Sequence, residues 1–318
     1  MLDYNEGMTN ATTPSNPSGR PSLLRRAGRA LFTTWSGRIS VLLVLALFGG
    51  GTYWYHEHHA ITWHELFSPS YWIRRWRGDD LYDPGTALLM HGNRGLREVA
   101  LTFDDGPHRQ SCGLILDTLK RYGVHATFFD VGMRMAQNPD LLLRTLADGN
   151  EVGNHTYDHP RLIKIDSRKA HREINDTDIT FYRITGRHLY LLRPPGMDLN
   201  SKVLNITRRM GYLVVGENTA SHDFAQDVSV DFIVNRTLSR VENGSIILLH
   251  DYPKPAAALP RIIEGLQAQG YRIVTVSEMI SHLPDRQRIA AEEFLQSHIE
   301  ADRLARQNAF RTAKYIKP

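Results

Sequence analysis

From about residue 97 the chain alternates short apolar runs with longer amphipathic stretches. The runs are 98–103 (EVALTF), 125–130 (HATFFD), 150–154 (NEVGN), 189–193 (LYLLR), 212–216 (YLVVG), 245–249 (SIILL) and 271–276 (YRIVTV). They have the length of strands, and most are nearly continuous in apolar residues, as strands covered on both faces are. The stretches between them, 112–122, 139–148, 167–186, 199–210, 229–242 and 256–269, are long enough for helices. Strands and helices in alternation predict an α/β fold with a parallel sheet. Seven such strands suit a distorted (β/α) barrel of about seven parallel strands, expected over 97–281. Beyond it, 285–318 is polar with charges of both signs and predicts a helix, so 282–318 is expected as a peripheral helical appendage.

The N-terminal third reads differently. Residues 1–19 are rich in Asn, Thr, Ser, Pro and Gly and have little to bury. Arg20, Arg25, Arg26, Arg29 and Arg38 then precede an uncharged run, ISVLLVLALFGGGTYWY, at 39–55. At about 1.5 Å per residue, roughly 17 residues span about 26 Å, near the short limit for crossing a bilayer. Trp35 in front and Tyr53, Trp54 and Tyr55 behind match an interfacial aromatic belt. The arginines lie before the run, and none follows until Arg74, which orients the N-terminus to the cytoplasm. The expectation is a disordered basic cytoplasmic tail (1–38), a single transmembrane helix (39–55), and all later residues outside the cell membrane. A cleaved signal peptide competes, but a clear small-x-small site is lacking and the basic leader is long. A buried soluble helix is the third reading. Residues 56–96 read as linker and lead-in. Their His56, His58, His59 and His64, beside Trp63, Trp72 and Trp76, show no evident metal geometry and read as solvated residues near a membrane surface.

Composition narrows the classes. Hydrophobic residues at 42% and charged residues at 23% suit a globular core. The net charge of +4 is modest and owes much to the N-terminal arginines, so no nucleic-acid partner is expected. The single cysteine, Cys112, permits no intrachain disulfide and no cysteine-based metal site.

The candidate chemistry gathers at strand ends. TFDDGPH (102–108) puts Asp104 and Asp105 at the end of the first barrel strand. NHTYDHP (154–160) follows the third and holds His155 and His159; on a helical turn, positions i and i+4 share a face and can grip one cation. RPPG (193–196) ends the fourth, SHDF with Asp223 follows the fifth, and LLHD ends the sixth with His250. Each motif alone has an ordinary structural reading as a turn, a surface pair or a rim residue. Their succession on the strand C-termini, which build the active face of α/β barrels, points to one shared site.

This set of motifs resembles the polysaccharide deacetylase family (the NodB-homology group, carbohydrate esterase family four) over about 97–281. The resemblance implies a metal-dependent hydrolase removing N-acetyl or O-acetyl groups from a cell-envelope polysaccharide. It implies one divalent cation, zinc by default with cobalt, nickel or iron accepted by the same set, on Asp105, His155 and His159. It implies Asp104 as general base oriented by Arg193, His250 as general acid kept protonated by Asp223, and the Pro195–Gly196 turn as oxyanion donor. Phe224 and Leu248 would wall the substrate. The family's fourth motif, Asp-x-x-Asp-Trp, reads here as Ala220-Ser221-His222-Asp223-Phe224. Phe keeps the apolar wall and loses the indole N–H.

Two other functions remain open at this level: a related amidase acting on a non-sugar C–N bond, and a non-catalytic carbohydrate-binding scaffold. The sequence points to an acetylated polysaccharide and, through 39–55, a membrane, and to no protein partner. The anchor predicts that the protein sediments with membranes, resists carbonate extraction and exposes residues after about 60 to external protease. A mature N-terminus beyond Tyr55 would replace the anchor with a cleaved signal.

Overall fold

The computed structural model describes residues 81–315 apart from Gln226, together with the single residue Pro69; side chains are described up to Glu300 and Ala301. The expected tail and membrane helix lie outside the described residues. Among the described residues no helix is long and apolar enough to cross a membrane.

Among the described residues ten strands form one sheet: β1 (Tyr82–Asp83), β2 (Leu88–Leu89), β3 (Glu98–Gly106), β4 (Thr127–Asp130), β5 (Glu151–Asn154), β6 (Leu191–Leu192), β7 (Leu213–Val215), β8 (Thr219–Ala220), β9 (Ser245–His250) and β10 (Arg272–Val274). The helices are α1 (Cys112–Tyr122), α2 (Gly132–Gln137), α3 (Pro139–Ala147), α4 (Ser167–Thr185), α5 (Ser201–Arg209), α6 (Val230–Arg240), α7 (Pro253–Ala268), α8 (Val276–Ser281) and α9 (Asp285–Tyr315). The spatial order is β1-β2-β7-β6-β5-β4-β3-β9-β8, and β10 pairs with β3. β10 lies along Glu98–Ala100 and β4 along Thr102–Gly106, so the two share one edge of β3 while β9 takes the other. Every pairing is parallel except β1–β2.

All seven anticipated strands are present and parallel. The expected distorted barrel takes the form of a curled, parallel-rich sheet: β1 and β8, the ends of the order, do not pair among the described residues. It also gains three two-residue strands. β1 and β2 draw 81–96, expected as lead-in, into the sheet, because a strand of two residues leaves no apolar run to read.

Strand alternation sorts the core. Val99, Leu101 and Phe103 of β3, with Ile247 and Leu249 of β9, meet α1, α6 and α7 on the outer face. Ala100 and Ile246 point the other way, into the curl, with Phe129, Leu213 and Val215. α8 and the first turns of α9 plug that side: Met279, Ile280 and Ala291 are buried there, and Phe294 and Leu295 pack against the same cluster. The expected appendage therefore begins as part of the core, its few apolar residues spaced one turn apart along a charged helix. A third cluster joins α3, α4 and α5 to the outside of β5–β7.

Gly153 marks a tight approach inside this sheet. A Cβ there would lie 2.6 Å from Phe129 ring carbons and 3.2 Å from the Leu191 carbonyl oxygen. Gly153→Ala is expected to cost about 1–3 kcal/mol through overpacking, read as a lowered thermal midpoint; an unchanged midpoint would mean the β4–β6 packing is looser than described.

Candidate active site

The register of β3 and β9 pairs Asp104 with His250. Thr102 and Asp104 continue the inward face of Ala100, and Leu248 and His250 continue that of Ile246, so base and acid candidates project into the mouth of the curl. Leu248, half-buried, pairs with Thr102 on one side and Ala220 on the other.

Two adjacent carboxylates on a regular strand would face opposite ways. β3 avoids this with an irregularity: its register against β4 shifts between Asp104 and Gly106, and Asp105 takes φ 71°. The left-handed residue turns Asp105 back toward the site, a use to which bulges beside active sites are commonly put. Gly106 follows because the space is taken. A Cβ there would lie 2.5 Å from Asp130 Oδ1 and 2.9 Å from Asp251 Oδ2.

Asp104 is 4% exposed and meets Arg193, which is fully buried. Arg193 Nη1 donates to Asp104 Oδ1 at 2.8 Å and to Thr102 Oγ1 at 2.7 Å. Its Nε and Nη2 donate to the carbonyls of Val215 (3.2 Å) and Gly216 (2.9 Å), and the guanidinium lies 4.3 Å from the centre of the Phe129 ring.

His155 and His159 do not share a helical turn, contrary to the spacing argument. Residues 155–160 form a loop in which Thr156 and His159 have φ 65° and 61°. The buried Glu173 of α4 holds this loop by accepting from the Tyr157 and Asp158 N–H groups, and Pro160 disfavours helix at the residue before it. The imidazoles still converge. His159 Nε2 lies 3.0 Å and His155 Nε2 3.5 Å from Asp105 Oδ1. His155 Nδ1–H donates to the Arg193 carbonyl at 2.6 Å, which leaves Nε2 with its lone pair toward the cluster.

The three ligand atoms lie within 4.8 Å of one another, and the buried Asp105 Oδ1 accepts no hydrogen bond of good geometry. Two imidazoles and a carboxylate facing a common point fit a divalent cation with positions left for other ligands. Burial alone would raise the Asp105 carboxyl, but His155, His159 and the Tyr252 hydroxyl hold it far below the ordinary carboxylate range.

His250 is gripped on two sides by Asp223. Its Nδ1–H donates to Asp223 Oδ1 and its backbone N–H to Oδ2, both at 2.7 Å. Burial would lower the imidazole, but the Asp223 carboxylate, with Asp104 and Asp105 beyond it, raises its pKa to about 9. Phe224 is 61% exposed, with its ring edge-on to His250 at 6.0 Å. Gly196, at φ 69° and exposed, caps a turn after the buried Pro195, with Arg161 paired to Asp198 beside it.

Several site residues had no signal in the motifs. The Tyr252 hydroxyl donates to Asp105 Oδ2 at 2.5 Å while its ring stacks on His250 at 5.6 Å. Arg134 on α2 donates to the Asp105 carbonyl. Glu217, just after β7, is pushed above the usual carboxyl range by burial, despite the Arg193 charge. Asp130 is raised by burial and by the charges of Asp251 and Asp104, and Asp251 is raised by burial to about 6. Only position could have flagged them, each lying within a few residues of a strand end.

Residues 91–215 match the family described as polysaccharide deacetylase. The chain is 40% identical over 182 residues to the peptidoglycan-N-acetylmuramic acid deacetylase PdaC of Bacillus subtilis, covering 57% of this chain and only 38% of that relative. It is 36% identical over 190 residues to a peptidoglycan-N-acetylglucosamine deacetylase of Bacillus cereus, covering 58% of this chain and 88% of the relative. A crystal structure of a peptidoglycan N-acetylglucosamine deacetylase superposes with TM-score 0.59 and 31% identity, over 67% of this chain and 97% of that one.

The convergence of Asp105, His155 and His159 generates a metal-content test. Replacing both histidines by alanine should strip most bound divalent cation from the purified protein, because a lone carboxylate makes a weak site. Elemental analysis showing parental metal content in the double variant would disprove the ligand set.

Proposed function

This chain belongs to the polysaccharide deacetylase family, and from that premise we propose that it is a metal-dependent hydrolase removing N-acetyl groups from a peptidoglycan-type cell-envelope polysaccharide. The observation that carries the reading is the convergence of a base pair, a three-ligand cluster and an acid pair on one rim of the sheet. Peptidoglycan deacetylases among the relatives support the substrate class.

Asp105, His155 and His159 would hold a divalent cation, zinc being the natural choice for this donor set, and such an ion would supply Lewis acidity toward the acetamide carbonyl and toward a water. Asp104 accepts the proton of the attacking water. Arg193 aims Asp104 through the hydrogen bond from Nη1 to Oδ1. The Pro195–Gly196 turn offers a backbone N–H to the developing oxyanion. His250, protonated at neutral pH through Asp223, delivers a proton to the leaving nitrogen. Phe224 and Leu248 supply apolar surface for the sugar. The same reading places the domain outside the cell membrane, held by 39–55.

The experiment is metal-dependent acetate release from N-acetylglucosamine oligomers and peptidoglycan, set against small amides. Release from amides alone would make it an amidase of the same family, and no release from any would favour a binding scaffold. Asp104→Asn and His250→Ala should each lower turnover about 10²–10⁴-fold with metal retained. Activity should fall as pH rises through about 9, where His250 loses its proton. Asp223→Asn removes the charge that favours the imidazolium and should move that basic limb to lower pH. A limb unmoved in Asp223→Asn would assign the proton donation to another group.

A further inference from the structure

A groove of about 540 Å³ runs between α4 and α5, away from the catalytic cluster. Arg168, His171 and Arg172 of α4 and Arg209 of α5 rim it, and Ile206 and Met210 form its apolar floor. The four rim residues are exposed. Over 161–210 there are eleven Lys and Arg against five Asp and Glu, a local charge of +6 that exceeds the +4 of the whole chain.

These cations stand outside any ion pair among the described residues, a state they share with Arg121, Arg183 and Arg187. Arg109, Arg144, Arg161, Arg261, Arg272 and Arg288, all on other parts of the surface, each hold a carboxylate partner. Arg168, Arg172 and Arg209 hold none among the described residues. Asp166, in front of α4, accepts from the Lys169 N–H at 2.8 Å, and its carboxyl also feels the charges of Arg172 and Arg168 without pairing to either. Three guanidinium groups without an ion-pair contact, over an apolar floor, match a ligand that carries carboxylates on an aliphatic body, because the planar fork binds carboxylate through paired hydrogen bonds.

The groove is also tied to the active rim. Lys202 Nζ donates to the carbonyls of Ile163 (3.3 Å) and Ile165 (2.7 Å), locking the loop before α4 onto α5. The same loop begins at Arg161, whose Nε would lie 3.7 Å from a Cβ on Gly196.

We propose that the α4–α5 groove docks the carboxylate-bearing peptides of peptidoglycan and holds the polymer while its glycan is deacetylated. This rests on the peptidoglycan reading above and extends it from the sugar to the peptide. The groove contributes to binding of the polymer and not to turnover of the acetamide.

The test is the full chain with Arg168, Arg172 and Arg209 all changed to Gln. Binding is measured on intact peptidoglycan sacculi, on glycan strands stripped of peptide by an amidase, and on phosphatidylglycerol vesicles. Exposed charge pairs are each worth about 0.2–1 kcal/mol, so the triple variant should bind intact sacculi about tenfold more weakly, with a flatter salt dependence. Binding to stripped strands and acetate release from N-acetylglucosamine oligomers should match the parent. Unchanged binding to sacculi overturns the proposal. So does an equal loss on stripped strands, which would make the groove a glycan site, or a loss confined to vesicles, which would make it a membrane contact. If the parent releases acetate from no polymer, the proposed activity fails, while the sacculus comparison still reads the groove.

Discussion

The site depends on one buried cation. Taking a guanidinium and a carboxylate out of water costs several kcal/mol per ion unless their remaining bonding groups are satisfied. Arg193 meets that condition with Asp104, Thr102 and two carbonyls at the end of β7, and it rests against the Phe129 ring. These contacts join β3, β4, β6 and β7 across the inside of the curl. The sheet is thus held open at its mouth by a polar bolt where an ordinary barrel would place apolar side chains. Its lower half is sealed by α8 and α9.

Around that bolt the backbone does most of the aiming. Register alone sets Asp104 opposite His250, and the left-handed turn at Asp105 lets a second carboxylate share the face of the first. Asp104 lies against Arg193 in the interior, whereas Asp105 meets two imidazoles and a tyrosine. The different roles proposed for them rest on these neighbours rather than on chemistry intrinsic to either residue.

The seven parallel strands were legible because each is a compact apolar run flanked by polar punctuation. The motifs at their ends were legible because the chemistry they need is compositional: paired Asp, paired His, a terminal His. What escaped has no such signature. The strands at 82–83, 88–89 and 219–220 owe their pairing to the sheet they join, and α2 and α8 are six residues each. The His155–His159 spacing suggested a helical turn, but Glu173, lying on α4, captures the loop's N–H groups, and no local pattern announces a partner so far along the chain. Tyr252 and Arg134 reach Asp105 from segments that only the fold brings near.

Arg193 serves the site twice, and only one service belongs to its side chain. The carbonyl oxygen that fixes the His155 ring is part of the peptide group, so whatever residue occupies position 193 inherits it. Side-chain replacement can disarm Asp104 yet leaves the tautomer of His155 to the chain itself. A survey by alanine substitution would record half of what this position does. The other half would surface only when a peptide bond is altered, as in an ester analogue that weakens one chosen carbonyl.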